Sequence, residues 1–340
     1  MTAFQLKPAS GSTRRTCAAL TLTVAGAVGA CRDAERTTAP TAPVPDLALS
    51  TGGPGTPSLC MPCVPPDRIL YVRGEWPPQG GGVIHRMKPD GTDDVTLGQG
   101  TNPAWSPMKT KIAFVYMEDI WVMNYDGTGR TQITHTPTWA ERDPSWSPDG
   151  QYIAYSRNQI ENTYSARDVW TMKADGSDPV SLTSTSNRDE RHPSWSPDGT
   201  KIALMSRVDN NSDVYAIRIM TIDPVTRDGL LNSSFTTNAT GWAVNPVWSP
   251  DGTKIAFTST LGCGIAIQSV GSQTAQPFAP AGVVKCLDPT WSPNGLKLAF
   301  VVRTMAGGPS SITTASLNGT GLTYLTPGNM IHNTPAWHRK

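Results

Sequence analysis

One short pattern recurs along this chain, and internal repetition restricts the available folds more than any other sequence feature. Six segments align: TNPAWSPMKTKIAF around Trp105, RDPSWSPDGQYIAY around Trp146, RHPSWSPDGTKIAL around Trp195, VNPVWSPDGTKIAF around Trp248, LDPTWSPNGLKLAF around Trp291 and NTPAWHRK around Trp337. The tryptophans stand 41, 49, 53, 43 and 46 residues apart. Such a period holds four short strands and their turns, one blade of a β-propeller. The spacing therefore predicts an all-β chain folded as a six-bladed β-propeller.

Each part of the repeat has a physical reading. Pro-x-Trp is the innermost strand, slim enough for six copies to crowd round an axis. The Trp fills the wedge between neighbouring blades, and its burial is worth on the order of 3 kcal/mol. Ser-Pro-Asp-Gly is a tight turn, with Pro setting φ at its second place and Gly relieving crowding at its fourth. Lys-Ile-Ala-Phe is the second strand, with Ala where blades press together. Third strands follow from Asp119, Asp168, Ala216, Gly264 and Ser311. A second turn carries Asp126-Gly127, Asp175-Gly176, Asp228-Gly229 or Asn318-Gly319, and short outer strands such as those at Thr131 and Val180 close each blade. Near Trp105, Met108-Lys109 replaces Asp-Gly, which predicts a looser or differently shaped turn there.

The two ends complete one another. The Trp337 unit stops three residues after its Trp, while three strands without an inner partner, from Arg68, Gly82 and Asp94, precede Trp105. Strands from both termini then make the sixth blade and close the ring, leaving no large open sheet edge. Residues 67–340 form this domain, at about 46 residues per blade.

Composition agrees. Gly is 31, Pro is 30 and charged residues are only 16% of the chain, as suits many short strands and turns. No sustained 3.6-residue period marks long amphipathic helices. Lys+Arg is 28 against 27 Asp+Glu, without the strongly basic footprint of a nucleic-acid binder.

The first residues read as a targeting segment. Lys7, Arg14 and Arg15 precede an apolar stretch from Cys17 to Ala30 that is short for a transmembrane span. It ends in Val28-Gly29-Ala30-Cys31, which resembles a bacterial lipobox. That resemblance implies a signal peptide at 1–30 and lipidation at Cys31. Arg14-Arg15 gives a thinner resemblance to a twin-arginine signal. In enteric lipoproteins Asp after the lipid-bearing Cys retains the protein in the inner membrane, so Arg32 favours the outer one. Residues 31–66, rich in Pro, Thr, Ala and Gly, cannot bury enough apolar surface to fold and are expected to act as a tether.

The hallmark P-x-W-S-P-[DN]-G stands intact at Trp146, Trp195, Trp248 and Trp291. It resembles the TolB-like propellers, whose repeat is known as the WD40-like PD40 repeat. The resemblance covers about residues 67–340 and implies an exported protein of the cell envelope. TolB acts beside a peptidoglycan-associated lipoprotein. No counterpart of that protein's extra N-terminal domain is expected in this chain, so the specific role is not expected to transfer.

In that fold the residues three before each Trp (Asn102, Asp143, His192, Asn245, Asp288 and Thr334) would stand at the mouth of the central channel. Four second strands end in Arg, at Arg73, Arg157, Arg207 and Arg303, and Glu141, Arg142, Asp189, Glu190 and Arg191 lie nearby. Together they predict a polar funnel that binds a protein partner. The competing explanation is that strand ends must carry soluble residues anyway, with the charges pairing among themselves.

Four cysteines remain beyond Cys17 and Cys31, and disulfides are expected outside the cytoplasm. Cys263 lies in a second-to-third hairpin and Cys286 on the link into the next blade. Those loop types emerge on one face, which predicts a Cys263–Cys286 bridge. Cys60 and Cys63 are expected to close a small loop in the tether, since nothing there lowers a thiol pKa as a redox motif requires.

No G-x-S-x-G, H-E-x-x-H or Walker pattern occurs, and no catalytic residue or resident cofactor is assigned. Asp209–Asp213 copies half a calcium loop but lacks its Gly and distant Glu, and reads as a hairpin tip. The expectation is a monomeric, non-catalytic envelope module that engages a partner protein and touches the membrane only through lipid. Alternatives are carbohydrate or small-ligand binding, or a metal-assisted lyase or hydrolase using His192 with Asp143 and Asp288, with a divalent cation in the channel.

Overall fold

The computed structural model describes residues 67–337, apart from 75–81, 161–165, 185–187, 209–213, 224–228, 235–241, 304–308 and 329–330, together with four short strands before them. The chain divides into two units, residues 1–65 and 66–340. In the first, Arg14–Thr16 pairs antiparallel with Arg32–Ala34, and Ala48–Gly52 with Thr56–Cys60. The stretch expected to form a structureless tether thus contains one paired ribbon. Cys31, Cys60 and Cys63 have no described side chain, and Asp209–Asp213 also lies outside the described residues.

The second unit consists of six four-stranded antiparallel sheets and has no helix among its described residues. Blade 1 runs through Thr101–Trp105, Lys111–Tyr116, Asp119–Asn124 and Thr131–Gln132. Blades 2 to 5 repeat that order from inner strands Trp139–Trp146, Glu190–Trp195, Ala243–Trp248 and Cys286–Trp291. Blade 6 takes its inner strand from the C-terminal His332–Trp337 and its other three from Ile69–Arg73, Val83–Met87 and Val95–Gln99. The closing blade has the register of the others: Trp337 pairs with Ile69 as Trp146 does with Ile153 and Trp291 with Leu298.

The core is distributed over the seams between blades. Trp195 lies with Ala154 and Val169 of blade 2, Trp248 with Met205 and Ile217 of blade 3, and Trp337 with Ala299 and Ile312 of blade 5. The seam between blades 6 and 1 is filled by Leu70, Ile84, Ile112 and Phe114. Ala113, Ala154, Ala203, Ala256 and Ala299 are all fully buried on the second strands of blades 1 to 5, and Leu70 takes their register position in blade 6.

The tight turns repeat in detail. The N–H of Gly150, Gly199, Gly252 and Gly295 donates to the Ser carbonyl three residues back at 2.9–3.0 Å, with φ between +69° and +72°. The turn after Trp105 is not looser, contrary to expectation. The Lys109 N–H donates to Ser106 O at 3.0 Å, and Lys109 itself adopts φ +59°. The ion pair of Lys109 Nζ with Asp67, at 2.8 Å, helps hold this left-handed lysine in place. In blade 3, Gly229 begins the outer strand rather than ending a turn, and pairs with Ile222.

Deleting residues 333–340 removes most of the inner strand of blade 6. We expect loss of the cooperative unfolding transition of the whole ring, read by far-UV circular dichroism on heating. A truncated protein that melts like the full chain would refute closure by the two termini.

Candidate functional site

Antiparallel order fixes which loops share a face. Every inner strand starts where its blade's second strand ends and its third begins, so the interblade links and second-to-third hairpins surround one mouth. Inner strands do not pair continuously there. Register shifts between Thr101/Ala104, Arg142/Ser145, Arg191/Ser194, Val244/Val247, Leu287/Thr290 and Asn333/Ala336 leave two residues out of each ladder. The second is always the Pro, which has no N–H to give. The first is the mouth residue. Asn102, Asp143, His192, Asn245, Asp288 and Thr334 all have left-handed φ, from +44° to +56°. Asn, Asp and His tolerate that region better than other side chains, while β-branched Thr334 is strained in it. The bulge thus supplies a backbone reason for the residue types.

These bulges aim six polar side chains at a channel of about 450 Å³. Below them the wall is formed by the following prolines, then by small residues such as Ala104, Ser194 and Ala336, then by the tryptophans. The mouth is polar and the wall beneath it is mostly apolar.

Asp143 is the most heavily bonded member. Its carboxylate accepts from Asn102 Nδ2 at 2.8 Å and Ser156 Oγ at 2.7 Å, and lies 3.3 Å from His192 Nδ1. Burial works to raise its pKa. His192, the Ser156 hydroxyl and the nearby Arg167 and Arg142 guanidinium groups outweigh it, and the carboxyl titrates below its usual range. Across the ring, Asn245 Nδ2 donates to Asp288 at 2.5 Å.

The arginines behave differently. Arg73 bonds to Asp94 at 2.9 Å and to the Tyr71 hydroxyl at 3.0 Å. Arg207 donates to the Tyr215 hydroxyl at 3.2 Å, and Arg303 to Asn333 Oδ1 at 2.7 Å. Arg157 lies against Glu141 at 3.2 Å, its guanidinium 4.5 Å from the Trp139 ring centre and 4.8 Å from that of Trp170. Arg142 pairs with Glu118, and Arg191 with buried Asp189. None of these six arginines lines the channel. Most of these arginines are engaged by neighbouring acids, Arg303 by neutral Asn333, in line with the soluble-strand-end explanation.

Cys263 and Cys286 form a disulfide that ties the blade 4 hairpin to the link into blade 5 on the mouth face. Among the described residues no group of three His, Cys, Asp or Glu side chains is placed to hold a metal. His192 and Asp143 are brought together, but Asp288 belongs to the opposite blade.

Two contributors escaped the sequence reading. Arg167 immediately precedes the third strand of blade 2, Asp168–Lys173, and its backbone N–H donates to Asp189 at 3.2 Å. Ser156, the donor to Asp143, occupies the repeat position held by Val115, Met205, Thr258 and Val301 in blades 1, 3, 4 and 5. Aligning second strands for an unexpected hydroxyl would have found it.

Glu141 is 1% exposed, and burial pushes its pKa up to about 7 against its bonds to Thr136 and Arg157. A raised carboxyl pKa means the folded state holds the proton more tightly than the unfolded chain. Stability from this group is therefore complete below pH 4.5 and is lost as pH rises to about 7. The stability of Glu141→Gln relative to wild type should grow by about 3 kcal/mol across that window, measured by urea denaturation at each pH. A constant difference would show that burial does not govern Glu141.

Residues 83–243 match the TolB beta propeller domain, PD40. The fold is similar to TolB from Acinetobacter baumannii, with a TM-score of 0.64 and 21% identity over 81% of this chain and 67% of that one. A putative TolB from Agrobacterium tumefaciens gives 0.58 and 19%, covering 76% of this chain and 88% of that one. A chain from a nidogen/laminin complex gives 0.60 and 12%, covering 80% and 98%. At such identities the likeness is one of fold. No curated protein matches the sequence. Repeat, blade count and ring closure agree with the match over residues 83–243: the described domain is a TolB-like six-bladed β-propeller.

Proposed function

We propose that the protein is a non-catalytic binding module of the bacterial cell envelope that holds a partner protein at the funnel face. The observation that carries this reading is the mouth itself: six polar side chains on bulged, left-handed backbone above a mostly apolar channel. Strained backbone such as that of Thr334 clusters at binding sites. Around it, Met117 (74% exposed), Ile160, Trp242 (51%) and Val284 (90%) stand in mouth-face loops and offer apolar contact to a large ligand. Likeness to TolB, and to a chain of a nidogen/laminin complex, supports a protein ligand at the level of the fold.

Export and lipid anchoring at Cys31 belong to the same proposal, with residues 31–66 as the tether and the domain on the periplasmic side of the outer membrane or at the cell surface. The contact of His192 with Asp143 favours the second reading, a small-ligand or metal-assisted lyase or hydrolase site.

Two measurements test the proposal. Met117→Glu combined with Val284→Asp, both on exposed side chains, should abolish capture of a specific partner from solubilised envelope while shifting Tm by no more than about 2 °C. Undiminished capture would move the interface off this face. Cys31→Ala should shift the protein from the membrane fraction to the soluble fraction, and unchanged membrane association would reject the lipid anchor.

A further inference from the structure

The mouth residues repeat with a two-fold rhythm: Asn-Asp-His in blades 1 to 3 and Asn-Asp-Thr in blades 4 to 6. Each Asn donates to the Asp of the next blade, Asn102 to Asp143 at 2.8 Å and Asn245 to Asp288 at 2.5 Å. Beyond that the halves diverge. Both oxygens of Asp143 are used, Oδ1 by Asn102 and His192 and Oδ2 by the Ser156 hydroxyl. In blade 5 the place of Ser156 is taken by Val301, which pairs with Leu287 as Ser156 pairs with Arg142. Oδ2 of Asp288 therefore has no hydrogen-bond partner among the described residues.

Its neighbours round the ring share this condition. In blade 6 Thr334 Oγ1 is buried without a partner among the described residues, and so is Oδ1 of Asn102 in blade 1. Asp288, Thr334 and Asn102 all line the channel. Three consecutive blades thus direct unused oxygen acceptors to one sector of the mouth, one of them charged. Those of Thr334 and Asn102 are buried, and buried unpartnered acceptors are rare and call for a donor; Asp288 beside them is half-buried and adds the charge.

The acceptor set defines that donor. A lysine ammonium has three donors, no acceptor and one compact positive charge. An arginine fork needs paired coplanar acceptors, and calcium takes roughly six to eight oxygens. We propose that Asp288, Thr334 and Asn102 form a socket for a primary ammonium group, supplied by a lysine side chain of the partner segment that enters the mouth. The prolines that follow them, Pro289, Pro335 and Pro103, give its methylene stem an apolar wall. This rests on the partner-protein reading above.

The test uses the full chain and Nα-acetyl-lysine N-methylamide, followed by tryptophan fluorescence, because Trp105 and Trp337 line the same channel. Its Nε-acetylated counterpart and calcium chloride are titrated in parallel. Saturable binding is expected for the free amine, at least about tenfold weaker for the acetylated form. Asp288→Asn should weaken the amine by about tenfold. Val301→Ser should weaken it as well, because it keeps the carboxylate but gives Oδ2 the internal hydroxyl donor that Asp143 already has. If Asp288→Asn does not fold, Val301→Ser alone decides. Equal binding of the two lysine derivatives, or of neither, overturns the socket. So does calcium binding that Asp288→Asn removes while the amine never saturates. A partner whose capture depends on Met117 and Val284 while the lysine derivatives do not bind would leave the funnel reading intact and reject only the socket.

Discussion

All six inner strands interrupt their ladders at the same place, and the arrangement of the mouth follows from that shared bulge. Each strand gives up two residues of pairing before it reaches its Trp. Proline fills one of them and so wastes no donor, while the other takes a left-handed turn that Asn, Asp or His accepts at small cost. Beyond the bulge the same strand resumes its pairing, and there its Trp enters the seam. The bulge therefore links packing to the site: the strand that seats a Trp in the seam also points a polar side chain into the channel.

Much of this was legible in the sequence because the repeat is nearly literal. Trp146, Trp195, Trp248 and Trp291 carry the same turn signature, and the unit broken between Arg68 and Trp337 could be recognised by what each end lacked. Lys109 was misread because side-chain identity was taken to dictate turn shape. The strand pair on either side, and an ion pair to Asp67, impose the left-handed conformation on a lysine. Tertiary context overrode local preference there, as it does at Thr334.

The site was half legible for a related reason. That six polar residues precede the tryptophans is visible in the repeat. Why they are polar is not, since positive φ leaves no trace in a single sequence when Asn and Asp are common in loops anyway. The arginines at second-strand ends were equally conspicuous, yet Arg157 lies over two tryptophan rings and Arg73 is bound to Asp94. Charge at a strand end reports on solubility and local pairing. The residues displaced from the ladder are the ones that stand at the mouth of the channel.

Repetition also supplies the control by which a difference between blades acquires meaning. Asp143 and Asp288 share a bulge, a left-handed φ and an Asn donor from the preceding blade. Had both carried a hydroxyl beneath them, both carboxylates would take donors on each oxygen from within the fold. Ser156 satisfies one carboxylate from within the fold, and Val301 denies the same to the other. The apolar side chain beneath Asp288 leaves one oxygen of a half-buried carboxylate without a donor from the fold. That arrangement suits a donor that arrives from outside, and it places the demand for that donor on the arc from Asp288 to Asn102.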